Sequence, residues 1–231
     1  PLPRTGAAFS PSLPPGACNG NKTTDIYNVY SSYDPTGRYR ARAATLELDW
    51  DTGPVKLASV TSYRESRERS DYDIGSSNLY IADRRQTYWQ FSQELRASGK
   101  VGDSLDYVAG LYYFESRYQL LQDTRVFGAF AGSQNTIGKS RSAAAFIDIN
   151  WEIFDRVRLS GGGRYTHDRK AYQNPLIYAG AAKQSWSKFT PKVTLDWRPT
   201  DTLMLYGTWS RGYRSGGFNG RANSAADSTE Y

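Results

Sequence analysis

The sequence predicts an all-β chain, an antiparallel up-and-down transmembrane β-barrel segment of about eight long strands in four hairpins. Three observations predict it. From residue 42 onward, apolar and polar side chains alternate with period 2, the mark of a strand with two different faces. Each alternating stretch runs for about ten residues, close to the ~9–11 that cross a bilayer and longer than the ~5–6 usual in soluble sheets. Tight turns alternate with long polar stretches, the lopsided layout of outer-membrane barrels, whose short turns face the periplasm.

The elements follow in order. Residues 1–41, rich in Pro, Gly, Ser and Asn, show no period and are expected to be an extracellular loop or irregular segment. Residues 42–214 carry the partial barrel, and 215–231 read as a further extracellular loop. Strand one places Leu46, Leu48 and Trp50 on one face and Glu47 and Asp49 on the other. It turns at Asp51-Thr52-Gly53-Pro54 into strand two, with Val55, Leu57 and Tyr63 against Lys56 and Arg64. Strand three (Trp89, Phe91, Leu95) turns at Gly99 to Gly102 into strand four (Leu105, Tyr107, Leu111, Tyr113). Strand five (Ala143, Ile147, Ile149, Trp151) turns near Phe154-Asp155 into strand six (Val157, Leu159, Tyr165). Strand seven (Phe189, Val193, Leu195, Trp197) turns at Pro199-Thr200-Asp201 into strand eight, Leu203 to Tyr213. Polar stretches near 67–86, 114–140 and 168–186 are expected to be long loops.

Composition agrees. Aromatics make up 14% of the chain, with 18 Tyr, 6 Trp and 21 Gly against one Met, which favours strands over helices. Mean hydropathy is −0.66. There is no apolar run near the ~20 residues of a membrane helix, but barrel strands, with one apolar face each, need none.

Tryptophan position adds a level. Trp50, Trp151 and Trp197 each close a strand just before a tight turn, on the apolar face. Indole, apolar with one N–H donor, settles at lipid–water borders, so these three are expected to form a periplasmic aromatic girdle. Tyr63, Trp89, Tyr113, Tyr165, Phe189 and Trp209 lie toward the opposite end and are candidates for a second. On the polar face, taking each turn as a hairpin centre sets Asp49 opposite Lys56, Arg96 opposite Asp106 and Asp148 opposite Arg158. Such lumen ion pairs contribute roughly 0.2–1 kcal/mol each and resist a one-residue slip, which would turn charges into lipid.

Other chemistries find little footing. One Cys (Cys18) and one His (His167), far apart, make neither a disulfide framework nor a zinc site. No nucleophile elbow, paired carboxylates or phosphate-cradling loop is visible, so no catalytic, cofactor-binding or metal residue is assigned and no enzyme is expected. The Gly161-Gly162-Gly163 run lies inside strand six, where close packing or a bend is the expected role. The net charge of +6 is spread among acids rather than clustered, so no nucleic-acid partner is expected. The opening PLPRTGAAFSPSLPPG lacks the layout of a signal peptide, and both ends are expected to be internal to a longer chain.

Three stretches resemble the barrel of TonB-dependent outer-membrane receptors: YWQFSQELRASGKVGDSLDYVAGLYYFES (88–116), RLSGGGRYTHDRK (158–170) and KFTPKVTLDWRPTDTLMLYGTWSRGYRSGGFN (188–219). With the strands between them the resemblance covers about 42–219. It implies an energised receptor in the outer membrane of a Gram-negative bacterium. Its partners would be membrane lipid, a TonB-type coupling protein and a scarce solute, most often a ferric siderophore. It also implies a plug domain, a TonB-contact segment and about 22 strands in all. The chain carries neither of the first two, so it is expected to be a fragment, with its ligand residues unknown. Two other readings stay open. A complete eight-stranded barrel would serve as an anchor or adhesin. A soluble ligand-binding barrel would instead pack Leu46, Leu48, Ile147 and Leu195 inside.

Overall fold

The computed structural model describes residues 34–73, 80–176 and 181–219. Cys18 and most of the expected irregular segment 1–41 lie outside them, as does the end of 215–231. Eight strands form one meander: β1 Gly37–Asp51, β2 Val55–Asp73, β3 Tyr80–Val101, β4 Leu105–Val126, β5 Ala129–Phe154, β6 Val157–Gln173, β7 Ala181–Thr200 and β8 Leu203–Ser210. Each pairs antiparallel with its neighbour in sequence, in the order β1 to β8. β1 and β8 are the edges of the sheet and share no ladder among the described residues.

Turn chemistry explains the four tight ends. Gly53 takes φ +91°, and its N–H donates to Asp51 Oδ1 (2.8 Å) while Thr52 Oγ1 donates to the Val55 carbonyl (2.7 Å). Gly102 (φ +63°) opens the second turn, between Val101 and Leu105. Two-residue turns at Asp155-Arg156 and Asp201-Thr202 close the third and fourth hairpins, between Phe154 and Val157 and between Thr200 and Leu203. Four hairpins, eight strands and their turn-side ends stand as the sequence predicted.

The opposite ends do not. The polar stretches expected as long loops are largely strand. β4 and β5 continue to Val126 and Ala129, with only Phe127-Gly128 between them, both at positive φ as a type I′ hairpin requires. β2 reaches Asp73, β6 reaches Gln173, and β1 begins at Gly37 rather than near 42. β8 is shorter than expected, ending at Ser210 instead of Tyr213. Beyond the alternating stretches the side chains lose their period, but the backbone N–H and C=O groups still pair with the next strand.

The two faces differ in burial. Ala82, Thr136, Ala144, Thr166 and Tyr172, all buried, sit on the face that carries Asp148 and Arg164. Side chains there lean on one another: Tyr112 and Phe146 flank Arg164, whose guanidinium carbon lies 5.2 and 5.7 Å from their ring centroids. That face is the concave one. Leu46, Leu48, Ile147 and Leu195 are on the other and are 57%, 58%, 46% and 50% exposed, so they line no closed interior. The soluble-barrel alternative fails on this point.

Candidate functional site: an amphipathic wall between two aromatic lines

The hydrogen-bond register places the tryptophans relative to one another. Trp50 leads through Leu57, Ala97 and Ala109 to Ile147 on β5. Trp151 lies four residues beyond Ile147 toward the turns, after four strand intervals. Trp151 leads through Leu159 to Leu195, and Trp197 lies two residues beyond, after two intervals. The three indoles therefore fall on one line that slips one residue per strand. With a rise of about 3.3 Å per residue and about 4.8 Å between strands, that slope is roughly 35°. Barrel strands tilt by about 35–45°, so one line across this sheet is one level of a barrel.

The second aromatic row obeys the same slope. Tyr63 is in register with Glu115, and Tyr113 lies two residues turnward after two intervals. Tyr113 leads through Ala143 to His167, and Tyr165 again lies two residues turnward after two intervals. Phe91 and Phe189 sit beside Tyr63 and Tyr165 in the ladder. Phe91 belongs to this row although it was not among the expected girdle residues; its parity and its distance from the turn were the available signal. Trp89 lies beyond the row and Trp209 short of it. The two lines are about seven residues of strand apart, or about 20 Å along a barrel axis after the tilt.

Between the lines the described convex positions hold no Asp, Glu, Lys or Arg. The one amide there, Gln93, is partnered: its Oε1 accepts from Thr61 Oγ1 (2.5 Å) and its Nε2 donates to Ser59 Oγ (3.0 Å). A polar group on an apolar face is costly without partners, and these bonds supply them. Gly163, also convex, lies under the Phe189 ring, whose nearest carbon would be 2.5 Å from an added Cβ.

The concave face carries the charges, in a register different from the expected one. Asp49 pairs with Ala58, Arg96 with Gly110 and Asp148 with Gly162, so none of the three expected ion pairs forms. Each partner is displaced by two or four residues because the turn centres sit one or two residues from those assumed. An even displacement keeps every side chain on its face and changes only its partner. The ion pairs that do form are Lys56–Asp51 (3.7 Å), Lys100–Asp106 (3.6 Å), Arg96–Glu94 within β3 (2.7 Å) and Lys192–Asp148 (3.3 Å). Arg158 stands in register between Glu152 and Asp196. The Lys192–Asp148 pair skips a strand. It reaches across Gly162 of β6, where an added Cβ would strike the Asp148 carboxylate and approach the Ile147 carbonyl at 2.9 Å. The middle glycine of the Gly161–Gly163 run is thus a close-packing position.

After β8 the chain folds back over the concave face. Lys170 Nζ donates to the Gly216 carbonyl (2.8 Å), and Phe218 stacks on Tyr172 at 6.2 Å and tilts against Trp186 at 6.5 Å. No group of three or more metal-ligating side chains exists among the described residues. His167 Nδ1 instead shares a hydrogen bond with Ser187 Oγ (2.8 Å).

A family model described as TonB dependent receptor-like, beta-barrel matches residues 2–230. The chain belongs to that family. It is 25% identical over 197 residues to the pesticin receptor of Yersinia enterocolitica, and 25% identical over 199 residues to that of Yersinia pestis. Each match covers 81% of this chain and 28% of the relative, so the chain spans less than a third of their length. Among solved structures, the ferric yersiniabactin uptake receptor FyuA from Yersinia pestis superposes with a TM-score of 0.77 at 22% identity, over 86% of this chain and 32% of that one. The ferric citrate transporter FecA in its unliganded form gives 0.67 at 17% identity, over 74% and 27%. These likenesses establish the fold: an open eight-stranded piece of a larger receptor barrel.

Beyond the tyrosine row, the convex face changes character. Glu115, Arg117, Lys139, Arg141, Arg169 and Lys183 follow on β4 to β7 at the parity of Tyr113 and Tyr165. Arg141 donates to Glu115 Oε1 from both Nε and Nη2 (2.9 Å each), and these bonds hold the Glu115 carboxyl below its ordinary range. None of these cations was singled out from the sequence. Continuing the odd-residue parity of β4 to β7 past the row would have found them.

Proposed function

We propose that this chain is a segment of the wall of an outer-membrane receptor that takes up a scarce solute, of the ferric-siderophore class, driven by a TonB-type coupling protein acting through a plug. The observation that carries the proposal is the charge-free convex band between two parallel aromatic lines, set against a concave face lined with ion pairs. That wall has hydrocarbon on one side and water on the other. Trp50, Trp151 and Trp197 mark its periplasmic border, and the Phe127-Gly128 end points outward. The siderophore class is carried over from the ferric receptors and transporters that share the fold. The open edges at β1 and β8 favour a place within a larger barrel over a closed eight-stranded anchor or adhesin.

The test has two parts, both on the natural full-length polypeptide. Brominated lipid should quench the fluorescence of Trp50, Trp151 and Trp197 in vesicles; absence of quenching would remove the membrane reading. Uptake of labelled ferric siderophores by cells should need both the receptor and an energised inner membrane. Uptake that survives de-energisation would reject the TonB-driven part.

A further inference from the structure

The cations beyond the tyrosine row are arranged against the ordinary rule for cross-strand pairs. Arg117 stands directly opposite Lys139, and Arg141 directly opposite Arg169. Lys183 faces Ala171, which faces Lys139 on its other side. Like charges opposite one another destabilise a sheet. On these two rungs of β4–β7 five cations meet one acid, Glu115, whose ion pair is with Arg141. Among the described residues no carboxylate lies within ion-pair distance of Arg117, Lys139, Arg169 or Lys183. The concave face of the same strands behaves differently, since Asp106 and Asp148 there are each matched by a lysine. A depression of about 430 Å³ opens among Lys139, Arg141, Arg169 and Lys183, floored by Ile137 and Ala171.

Position supplies the occupant. The cluster begins one rung past Tyr113 and two past Tyr165, beyond the end of the charge-free band, and Lys183, three rungs past Phe189, stands farthest out. In a bilayer that is the level of the headgroups. Guanidinium groups offer bidentate donors to phosphate oxygens, and lysine adds a mobile point charge. We propose that the convex surface of β4–β7 just beyond the tyrosine row binds the phosphates of anionic lipid headgroups in the outer leaflet, phosphorylated glycolipids above all. The anion then relieves the like-charge pairs that the strand register imposes. This inference rests on the membrane reading given above.

The test uses the natural full-length polypeptide in nanodiscs. One set contains a phosphorylated glycolipid of lipid A type and the other the same glycolipid with its phosphates removed. Native mass spectrometry counts the glycolipid retained. The unmodified protein should retain the phosphorylated form at least ten-fold more strongly, and retention should fall as salt rises. The triple variant Lys139→Ser, Arg169→Ser, Lys183→Ser should lose most of that preference, and Lys139→Ser alone should lose part of it. Concave Lys188→Ser should keep it. Equal retention of the two glycolipids, an undiminished preference in the triple variant, or a change of oligomeric mass in place of lipid loss would each overturn the proposal. Quenching of the three tryptophans in the same nanodiscs separates the two ideas. If quenching persists while phosphate selectivity is absent, only the headgroup site falls; if quenching is absent, the membrane reading falls and takes the headgroup site with it.

Discussion

The strands of this sheet run through two regions that share one backbone ladder and differ in everything else. On the turn side of the tyrosine row the convex face is mostly Leu, Ile, Val, Ala, Gly and aromatic, with no Asp, Glu, Lys or Arg among the described residues. Beyond the row the same strands continue, β4 and β5 as far as Val126 and Ala129, but their convex face turns largely polar, with Glu115, Arg117, Gln119, Lys139 and Arg141. Hydrogen bonding to the neighbouring strand is indifferent to the change, because every strand apart from the two edges has partners on both sides in either region. The side-chain pattern is what changes. Pairing and patterning are therefore separate causes of a strand, and only patterning shows in a single sequence.

Four substitutions, in falling order of expected effect, and one control beside the first sharpen the comparison. Ile147→Lys puts a cation mid-band on the convex face and should cost about 2–4 kcal/mol, read as a lowered denaturant midpoint for folding into vesicles. Convex Gln119→Lys, beyond the tyrosine row, should change that midpoint little; equal losses at the two sites would erase the distinction between the regions. Gly162→Ala should cost about 1–3 kcal/mol, because the new methyl meets both the Asp148 carboxylate and a backbone carbonyl. If the midpoint does not move, Gly162 is no packing constraint. Phe127→Gly removes a side chain held at φ +52° and should stabilise the outer hairpin by about 1 kcal/mol, seen as slower amide exchange near Val126 and Ala129. Asp148→Asn breaks an ion pair whose side chains are about half exposed and should cost roughly 0–1 kcal/mol, well below Gly162→Ala. A larger loss would show that the Lys192–Asp148 contact is far less screened by water than its exposure implies.

Trp50, Trp151 and Trp197 were legible in the sequence as one group, since each combines apolar parity with a place just before a turn. Their alignment at one tilted level was not, because it depends on how far each strand slips past the next. The ion pairs show the same divide. Asp49, Arg96, Asp106, Asp148 and Arg158 were assigned the correct face and the wrong partners. Opposite-charge pairs of a few tenths of a kcal/mol do not choose among registers that all preserve parity. Turn geometry at Gly53, Gly102 and Asp155-Arg156 makes that choice. The basic cluster stayed hidden for a related reason: Arg117 and Lys139, or Arg141 and Arg169, are unremarkable along the chain and become like-charge neighbours only through the β4–β5 and β5–β6 ladders.

The sequence by itself determined the number of strands, the places of the tight turns and the face that each side chain of the alternating stretches takes, because alternation is a local property of an extended chain. The tertiary structure alone decided strand length beyond the tyrosine row, the register, and with it the slope of one residue per strand that sets the aromatic lines parallel. Those depend on contacts between residues distant in sequence, where turn conformation and the continuous backbone ladder outweigh any single side-chain pair.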